Sequence, residues 1–146
     1  TTGAYQQTNR QNLALLDDLD IAVHRATGLD ASRHLSVFGR YLECTTWPDK
    51  WSSWIPFAAI KALSLHRTKH FDIIWVTFPI ASALVIGLVL AKLTKKPLIV
   101  DIRDPIWEEE TWQDTTRNKL LRWIERKIFR RATLITFTSP GTIDKY

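Results

Sequence analysis

Residues 72–102 read DIIWVTFPIASALVIGLVLAKLTKKPLIVDI, and this stretch decides the fold class. Residues 72–78 form a continuous apolar run rich in β-branched and aromatic side chains, which is typical of a strand buried on both faces. Pro79 ends that run, and the strongly apolar residues 80–93 predict a helix. Residues 97–102 predict a second strand. A strand, a helix and another strand in this order predict a β-α-β unit with parallel strands.

The same alternation continues on both sides of this unit. Before it, a helix is predicted to begin at Ser52 or Ser53, either of which can cap it, and to end near His70. Further upstream, residues 21–26 (IAVHRA) are a candidate for a short strand. The chain is therefore expected to build an α/β fold with a mostly parallel sheet and helices on both faces.

After the unit, residues 115–132 predict a basic helix and residues 133–138 (TLITFT) a third strand. Ser139 and Pro140 have the residue types of a cap and a first helical residue, so another helix is expected to follow.

Composition sets limits on the chemistry. The chain has 146 residues, which suits one domain with a real core, and 45% of them are hydrophobic. Cys44 is the single cysteine, so there is no disulfide framework and no cysteine-rich metal site. His66 and His70 are four residues apart on a predicted helix, but no third ligand accompanies them, and we predict no metal site.

Charge is unevenly distributed along the chain, whose formal net charge is +5. Residues 101–114 contain six acids and one base, whereas residues 117–131 contain seven bases and one acid. The basic helix is either an ordinary solvated face or a surface that favours anionic lipid, nucleic acid or anionic substrates. The side chains predicted for membrane contact are Arg122, Trp123, Arg126, Lys127 and Arg130.

Two further patterns leave alternatives open. Residues 73–91 contain no charged side chain, so a membrane-spanning segment competes with the strand and helix described above. Trp47, Trp51 and Trp54 lie within eight residues. Their rings stack on sugars, sit at a membrane interface, or anchor a loop and helix to the core.

Polar residues follow the buried strands at their ends, where ligands bind in open parallel sheets. Asp101, Arg103 and Asp104 come at the end of the second strand, with Thr77 and Ser139 at the ends of its neighbours. Two carboxylates and a guanidinium can bind substrate hydroxyls or assist proton transfer. Alternatively, Asp101 and Arg103 neutralise each other, and Asp104 accepts backbone hydrogen bonds in the turn.

The runs DIIWVTFPIASALVIGLVLAKLTKKPLIVDIRDPIWEE and IERKIFRRATLITFTSPGTIDKY resemble the N-terminal domain of glycosyltransferase family 4 enzymes, which have the GT-B fold. The resemblance implies a Rossmann-like, doubly wound domain that forms half of such an enzyme and holds the acceptor. A nucleotide-sugar donor would bind a C-terminal domain that residues 1–146 lack, as they lack the usual first strand. No cofactor is expected in this chain, which alone would be inactive.

What the resemblance implies for individual residues is narrower. Many relatives have a histidine at the end of the strand that corresponds to residues 97–102, whereas this chain has Arg103 followed by Asp104. Asp101 and Asp104 are the candidate catalytic residues, and Arg103, Asp104, Thr77 and Ser139 are the candidate acceptor-binding residues.

The expected partners are a glycan or lipid-linked acceptor, the missing domain and an anionic membrane, but not nucleic acid. The resemblance also implies polysaccharide biosynthesis in the cytoplasm, with peripheral attachment to the inner face of the membrane. The alternative function is a non-catalytic Rossmann-like module that binds a protein partner or an anionic membrane.

Overall fold

A computed structural model describes residues 22–29, 46–106, 115–144 and 146. Within them the chain alternates helices and strands, as the hydrophobic pattern predicts. The elements are α1 (Trp54–Lys69), β1 (Ile74–Phe78), α2 (Ala81–Thr94), β2 (Leu98–Ile102), α3 (Thr116–Arg131), β3 (Leu134–Phe137) and the short α4 (Pro140–Ile143).

The three strands form one parallel sheet in the order β1-β2-β3. Each crossover is made by a helix, since α2 joins β1 to β2 and α3 joins β2 to β3. The predicted parallel α/β architecture of Rossmann type is therefore confirmed. In the described part, residues 22–29 belong to no helix or strand, so the strand expected at residues 21–26 does not form there.

One face of the sheet carries the core. Leu98, Val100 and Ile102 of β2 are fully buried and pack in one cluster with Leu84 of α2 and Ile124 of α3. Fully burying an aliphatic side chain of this size contributes about 1.5–3 kcal/mol, so this layer dominates the stability of the sheet. Helix α2 contacts both α1 and α3, which places the three long helices in a single layer.

The opposite face of the sheet is open in the described part of the chain. Trp75 of β1 is 65% exposed and Leu134 of β3 is 53% exposed. The expectation that residues 72–78 are buried on both faces is thus not met at Trp75, because the described helices cover the other side. Helices on the second face are an expectation that the described residues do not test.

Residues 73–91 do not form one long helix. They comprise strand β1, a turn at Pro79 and most of the 14-residue helix α2. Within the described residues, no helix has both the length and the apolar character needed to cross a bilayer. The membrane-spanning alternative is therefore wrong for this segment, because β-branched residues and Pro79 divide it.

The N-cap residues of α1 and α3 use their hydroxyl groups differently. Thr115 caps α3, its hydroxyl accepting a hydrogen bond from the amide of Asn118 at 3.2 Å. Ser53 occupies the N-cap position of α1, but its side chain makes no capping bond. Its hydroxyl instead accepts from the amide of Leu29 at 2.9 Å and donates to the Leu29 carbonyl at 2.7 Å. Ser53 therefore ties the upstream segment to α1.

Candidate functional site

A polar layer lies on the open face of the sheet, one residue before each strand ends. The strand register places Thr77 beside Asp101 and Asp101 beside Thr136. The Thr77 hydroxyl donates to Oδ2 of Asp101 at 3.0 Å, and the Thr136 hydroxyl donates to Oδ1 at 3.0 Å. Each carboxylate oxygen thus has one fixed donor and retains further lone pairs, so Asp101 is held in one orientation and can still accept from a ligand hydroxyl.

Arg103 and Asp104 lie in the turn after β2, and both are exposed. In the described structure the Arg103 guanidinium makes no ion pair with Asp101, whose oxygens are bonded to threonines instead. Nor does the Asp104 carboxylate accept a described backbone hydrogen bond. The two local explanations offered by the sequence are thus not seen, and both charged groups face solvent at the carboxyl edge.

The turn that carries these charges is fastened at both ends. The Thr138 hydroxyl donates to the Arg103 carbonyl at 2.9 Å, and the Ile106 amide donates to the phenol oxygen of Tyr146 at 2.8 Å. The Tyr146 ring packs on Phe129, with ring centroids 5.0 Å apart. Burial of the phenol group, reinforced by the Glu125 carboxylate, raises the pKa of Tyr146 to about 12. Tyr146 therefore acts as a neutral anchor for the turn.

Ser139 is placed at the end of β3, but its hydroxyl has a structural role. It accepts from the amide of Thr142 at 3.3 Å and lies 3.0 Å from the Thr142 hydroxyl. This is the cap that the Ser-Pro pair predicts for the following helix. Its predicted contact with an acceptor stays a prediction.

A cavity of about 470 Å³ opens beside the carboxyl end of β1 and the first turn of α2. Its wall includes Asp49, Lys50, Trp51, Pro79, Ile80 and Arg117. Trp51 is only 8% exposed and belongs to the core, and Trp54 packs against the core from α1. Both rings therefore anchor the loop and helix, and Trp51 also forms part of the cavity wall.

Asp49 supplies the cap that α2 lacks. Ile80 occupies the N-cap position of α2 and offers no side-chain oxygen. Oδ2 of Asp49 accepts from the Ser82 amide at 2.7 Å, and Oδ1 accepts from the Ser82 hydroxyl at 2.7 Å. Oδ1 also accepts from the amide of Trp51 at 2.8 Å. A carboxylate 33 positions away in sequence thus satisfies the first turn of α2 and holds the cavity wall in place.

The basic residues of helix α3 do not all lie on the same face of the helix. Arg131 turns inward, donating to the carbonyls of Ala91 at 2.7 Å and Lys96 at 3.1 Å, where it satisfies the end of α2. The predicted membrane-contact residues Trp123, Arg126, Lys127 and Arg130 are exposed, whereas Arg122 is half-buried. Trp123 is 53% exposed, and the Lys127 ammonium lies 5.6 Å from the centre of its ring.

Sequence reasoning found Asp101 and its neighbours from their place at strand ends. It missed Thr136 and Tyr146, whose contacts with Asp101 and Ile106 span 35 and 40 positions. It also missed Asp49, since nothing near it in sequence marks the helix that it caps. Within the described part of the chain, no three histidine, cysteine or acidic side chains are grouped closely enough to hold a metal ion.

The described architecture is that of a Rossmann-like domain whose polar groups gather at the carboxyl edge of the sheet. The family model of the glycosyl transferase 4-like domain matches residues 3–146. The chain belongs to this glycosyl transferase 4-like family, and its function is accordingly related to glycosyl transfer. Neither a curated protein sequence nor a solved structure gives a significant match to the chain.

Proposed function

We propose that this chain is the acceptor-binding domain of an enzyme that transfers a sugar from a nucleotide-sugar donor to a glycan or lipid-linked acceptor. The observation that carries the proposal is the carboxyl edge of β2 in a chain of the glycosyl transferase 4-like family. There the carboxylate of Asp101 is held in one orientation, and Arg103 and Asp104 are exposed beside it.

The three side chains offer complementary contacts to a polar acceptor. The remaining lone pairs of Asp101 and Asp104 can accept hydrogen bonds from sugar hydroxyls, and one of these carboxylates can take the proton that the acceptor hydroxyl loses. The Arg103 guanidinium donates several hydrogen bonds in a fixed plane, which suits an anionic or hydroxyl-rich group. Thr77 orients Asp101 and adds a hydroxyl at the same edge.

The donor has its own place in this proposal. The nucleotide sugar binds a second domain outside residues 1–146, and residues 1–146 themselves bind no cofactor. The cleft between the two domains holds both substrates. Residues 1–146 alone then bind acceptor but transfer no sugar.

Acceptor binding and transfer can be tested with conservative variants of the naturally encoded protein. Asp101→Asn keeps the size of the side chain, and both threonine bonds can form again if one hydroxyl accepts from the new amide group instead of donating to it. The fold should therefore persist while transfer falls by roughly 100-fold, as expected when a group that moves a proton is removed. Asp72→Asn is the control, since that carboxylate is 87% exposed and pairs with Lys96 at the other end of the strands. Equal activity in the two variants would exclude a chemical role for Asp101.

The exposed face of α3 supports a second element of the proposal, namely peripheral attachment to an anionic membrane at the cytoplasmic side. Trp123 is followed at three, four and seven residues by the exposed Arg126, Lys127 and Arg130, so one helix face presents an aromatic ring and positive charge together. Such a surface would bring the domain to a lipid-linked acceptor. It also suits the alternative of a non-catalytic module that binds the membrane.

Membrane attachment is measured by co-sedimentation with phosphatidylcholine vesicles that contain or lack phosphatidylglycerol. Each basic side chain near such a surface contributes about 1 kcal/mol, so neutralising three should weaken binding by roughly 100-fold. The triple glutamine variant carries changes at Arg126, Lys127 and Arg130. The matched control neutralises Lys61, Arg67 and Lys69, which are also exposed and lie on α1. Equal losses in both triples would show a response to net charge and not to this face.

Sugar transfer then separates the two functions. A variant that loses membrane binding but still transfers sugar to a water-soluble acceptor supports an enzyme with a membrane surface. Membrane binding without transfer to any acceptor supports the non-catalytic module.

A further inference from the structure

Two threonine hydroxyls hold the Asp101 carboxylate, and they differ in what else they can reach. The Thr136 hydroxyl donates to Oδ1 at 3.0 Å and has no second acceptor among the described residues. The Thr77 hydroxyl donates to Oδ2 at 3.0 Å, but the carbonyl oxygen of Phe78 also lies 3.4 Å from it. A hydroxyl has a single proton to donate, and the shorter bond to the charged group is the stronger one. Thr77 can therefore turn away from Asp101 and keep an acceptor, whereas Thr136 cannot.

The two sides of this carboxylate also differ in access. Thr77 is exposed, whereas Thr136 is half-buried. Two residues after Thr136, the Thr138 hydroxyl donates to the Arg103 carbonyl at 2.9 Å, so a second side-chain bond joins the end of β3 to β2 on the Oδ1 side. Two residues after Thr77 the chain has Pro79, whose side chain has no donor. Oδ2, on the side of β1, is therefore the oxygen that a ligand reaches more easily.

We propose that a hydroxyl of the acceptor binds Oδ2 of Asp101 from the β1 side, while Thr136 acts as a positioning residue that keeps Oδ1 in place. The Thr77 hydroxyl then turns to the Phe78 carbonyl and leaves a lone pair of Oδ2 to the incoming hydroxyl. The bond from Thr136 prevents the carboxylate from rotating when Thr77 turns away. This inference rests on the proposed acceptor role of Asp101 and names the oxygen at which a sugar hydroxyl binds.

The test is transfer of radiolabelled sugar by the naturally encoded protein, with the lipid extract of its source cells as acceptor and a panel of nucleotide sugars as donors. The amounts of extract and donor are varied separately. Thr136→Val keeps the shape of the side chain and removes its hydroxyl. It should raise the half-saturating amount of extract by roughly tenfold, as expected for the loss of a hydrogen bond to a charged group, and leave that of the donor unchanged. Thr77→Val should raise it by no more than about threefold, because that bond is given up on binding.

Two controls separate positioning from a general effect on the fold. Thr136→Ser keeps the hydroxyl and should return the half-saturating amount of extract to within about threefold of the parent value. Thr68→Val removes a threonine hydroxyl that donates to carbonyls within α1 and should change neither substrate's value. A purely structural role of Thr136 would lower stability without separating the acceptor from the donor.

Three results would overturn the proposal: equal rises in the two valine variants, a matching rise for the donor, and no recovery in Thr136→Ser. Asp101→Asn distinguishes this inference from the proposed function. Loss of transfer in Asp101→Asn together with equal effects of the two valine variants refutes only the choice of Oδ2. Full transfer in Asp101→Asn refutes the acceptor role of Asp101 itself, and the choice of Oδ2 with it.

A second measurement tests the two hydrogen bonds without any transfer. Proton NMR spectra of the 146-residue chain at low temperature report how fast each threonine hydroxyl proton exchanges with water. Exchange should be slower at Thr136 than at Thr77, because Thr136 is less exposed and its proton has no second described acceptor. Equal exchange at the two hydroxyls would overturn the proposal whatever the transfer assay shows.

Discussion

Gly87 is the point at which helix α2 comes closest to the sheet. A Cβ atom placed there would lie 2.7 Å from Cγ1 of Val76 and 3.3 Å from Cδ1 of Leu98, whereas ordinary contacts begin at 3.4 Å. Gly87→Ala therefore forces a displacement of about 0.7 Å, the difference between 3.4 and 2.7 Å. Val76 cannot easily turn away, because a β-branched side chain is restricted in its first torsion angle. Overpacking of this kind costs about 1–3 kcal/mol.

The cost is partly hidden by helix propensity, since alanine is favoured over glycine in a helix by about 1 kcal/mol. Gly141→Ala provides the matched control, because a Cβ at Gly141 in α4 meets nothing within 4 Å. The free energy of unfolding should therefore be lower in Gly87→Ala than in Gly141→Ala by about 1–3 kcal/mol. With a urea dependence of about 2 kcal/mol per molar, the two midpoints should differ by roughly 0.5–1.5 M.

A double-mutant cycle with Val76→Ala isolates the contact itself. Removing the two Cγ atoms of Val76 makes room for the new methyl group, so the combined variant should be more stable than the sum of the single changes predicts by about 1 kcal/mol. Urea midpoints that agree between Gly87→Ala and Gly141→Ala, or a cycle without coupling, would refute the close packing of α2 on β1.

Three further changes have defined outcomes. Asp49→Ala leaves the fully buried Ser82 hydroxyl and the Ser82 amide without their acceptor, so the free energy of unfolding should fall by about 2–4 kcal/mol in urea titrations. The control is Asp72→Ala, which removes an exposed ion pair and should lower the unfolding free energy by at most about 1 kcal/mol. Equal losses in the two variants would argue against Asp49 as the cap of α2. Because the pKa of Tyr146 is raised to about 12, its protonated form stabilises the fold below pH 10, and this contribution disappears as pH rises from 10 towards 12. The difference in unfolding free energy between the parent and Tyr146→Phe should therefore shrink over that window. A constant difference would contradict the role of Tyr146 as an anchor. Lys95 at the end of α2 has a φ of 61°, a left-handed conformation that glycine adopts without steric cost. Lys95→Gly should therefore raise the unfolding free energy by about 0.5 kcal/mol. A lower melting temperature would show that the Lys95 side chain stabilises the native state.

Local pattern was enough to predict the helices and strands from α1 to α4, although the strand that it suggested at residues 21–26 does not form in the described residues 22–29. The apolar runs around Pro79 and the residues of the Ser-Pro cap act through neighbours in sequence, and α2, β2 and α4 begin within one residue of their predicted starts. Ser53 shows where local reasoning fails, because its hydroxyl bonds to Leu29, 24 positions away, in preference to the helix that it precedes.

The site was predictable only in outline. Position at a strand end singled out Asp101, but its partner Thr136 depends on the register between β2 and β3, which no local pattern specifies. The cavity is harder to predict, since Lys50 and Arg117 are 67 positions apart and line the same cavity only because the fold brings their segments to the same edge of the sheet. The open face at Trp75 likewise follows from where helices pack and not from the composition of β1.

The most direct test of the central claim is transfer of radiolabelled sugar by the naturally encoded protein, supplied with a panel of nucleotide sugars and the lipid fraction of its source cells. The account predicts labelled product from one donor, with transfer strongly reduced in Arg103→Ala and Asp104→Ala and unchanged in Asp72→Ala. Absence of transfer from every donor, or full transfer in both edge variants, would contradict an acceptor site at the carboxyl end of β2.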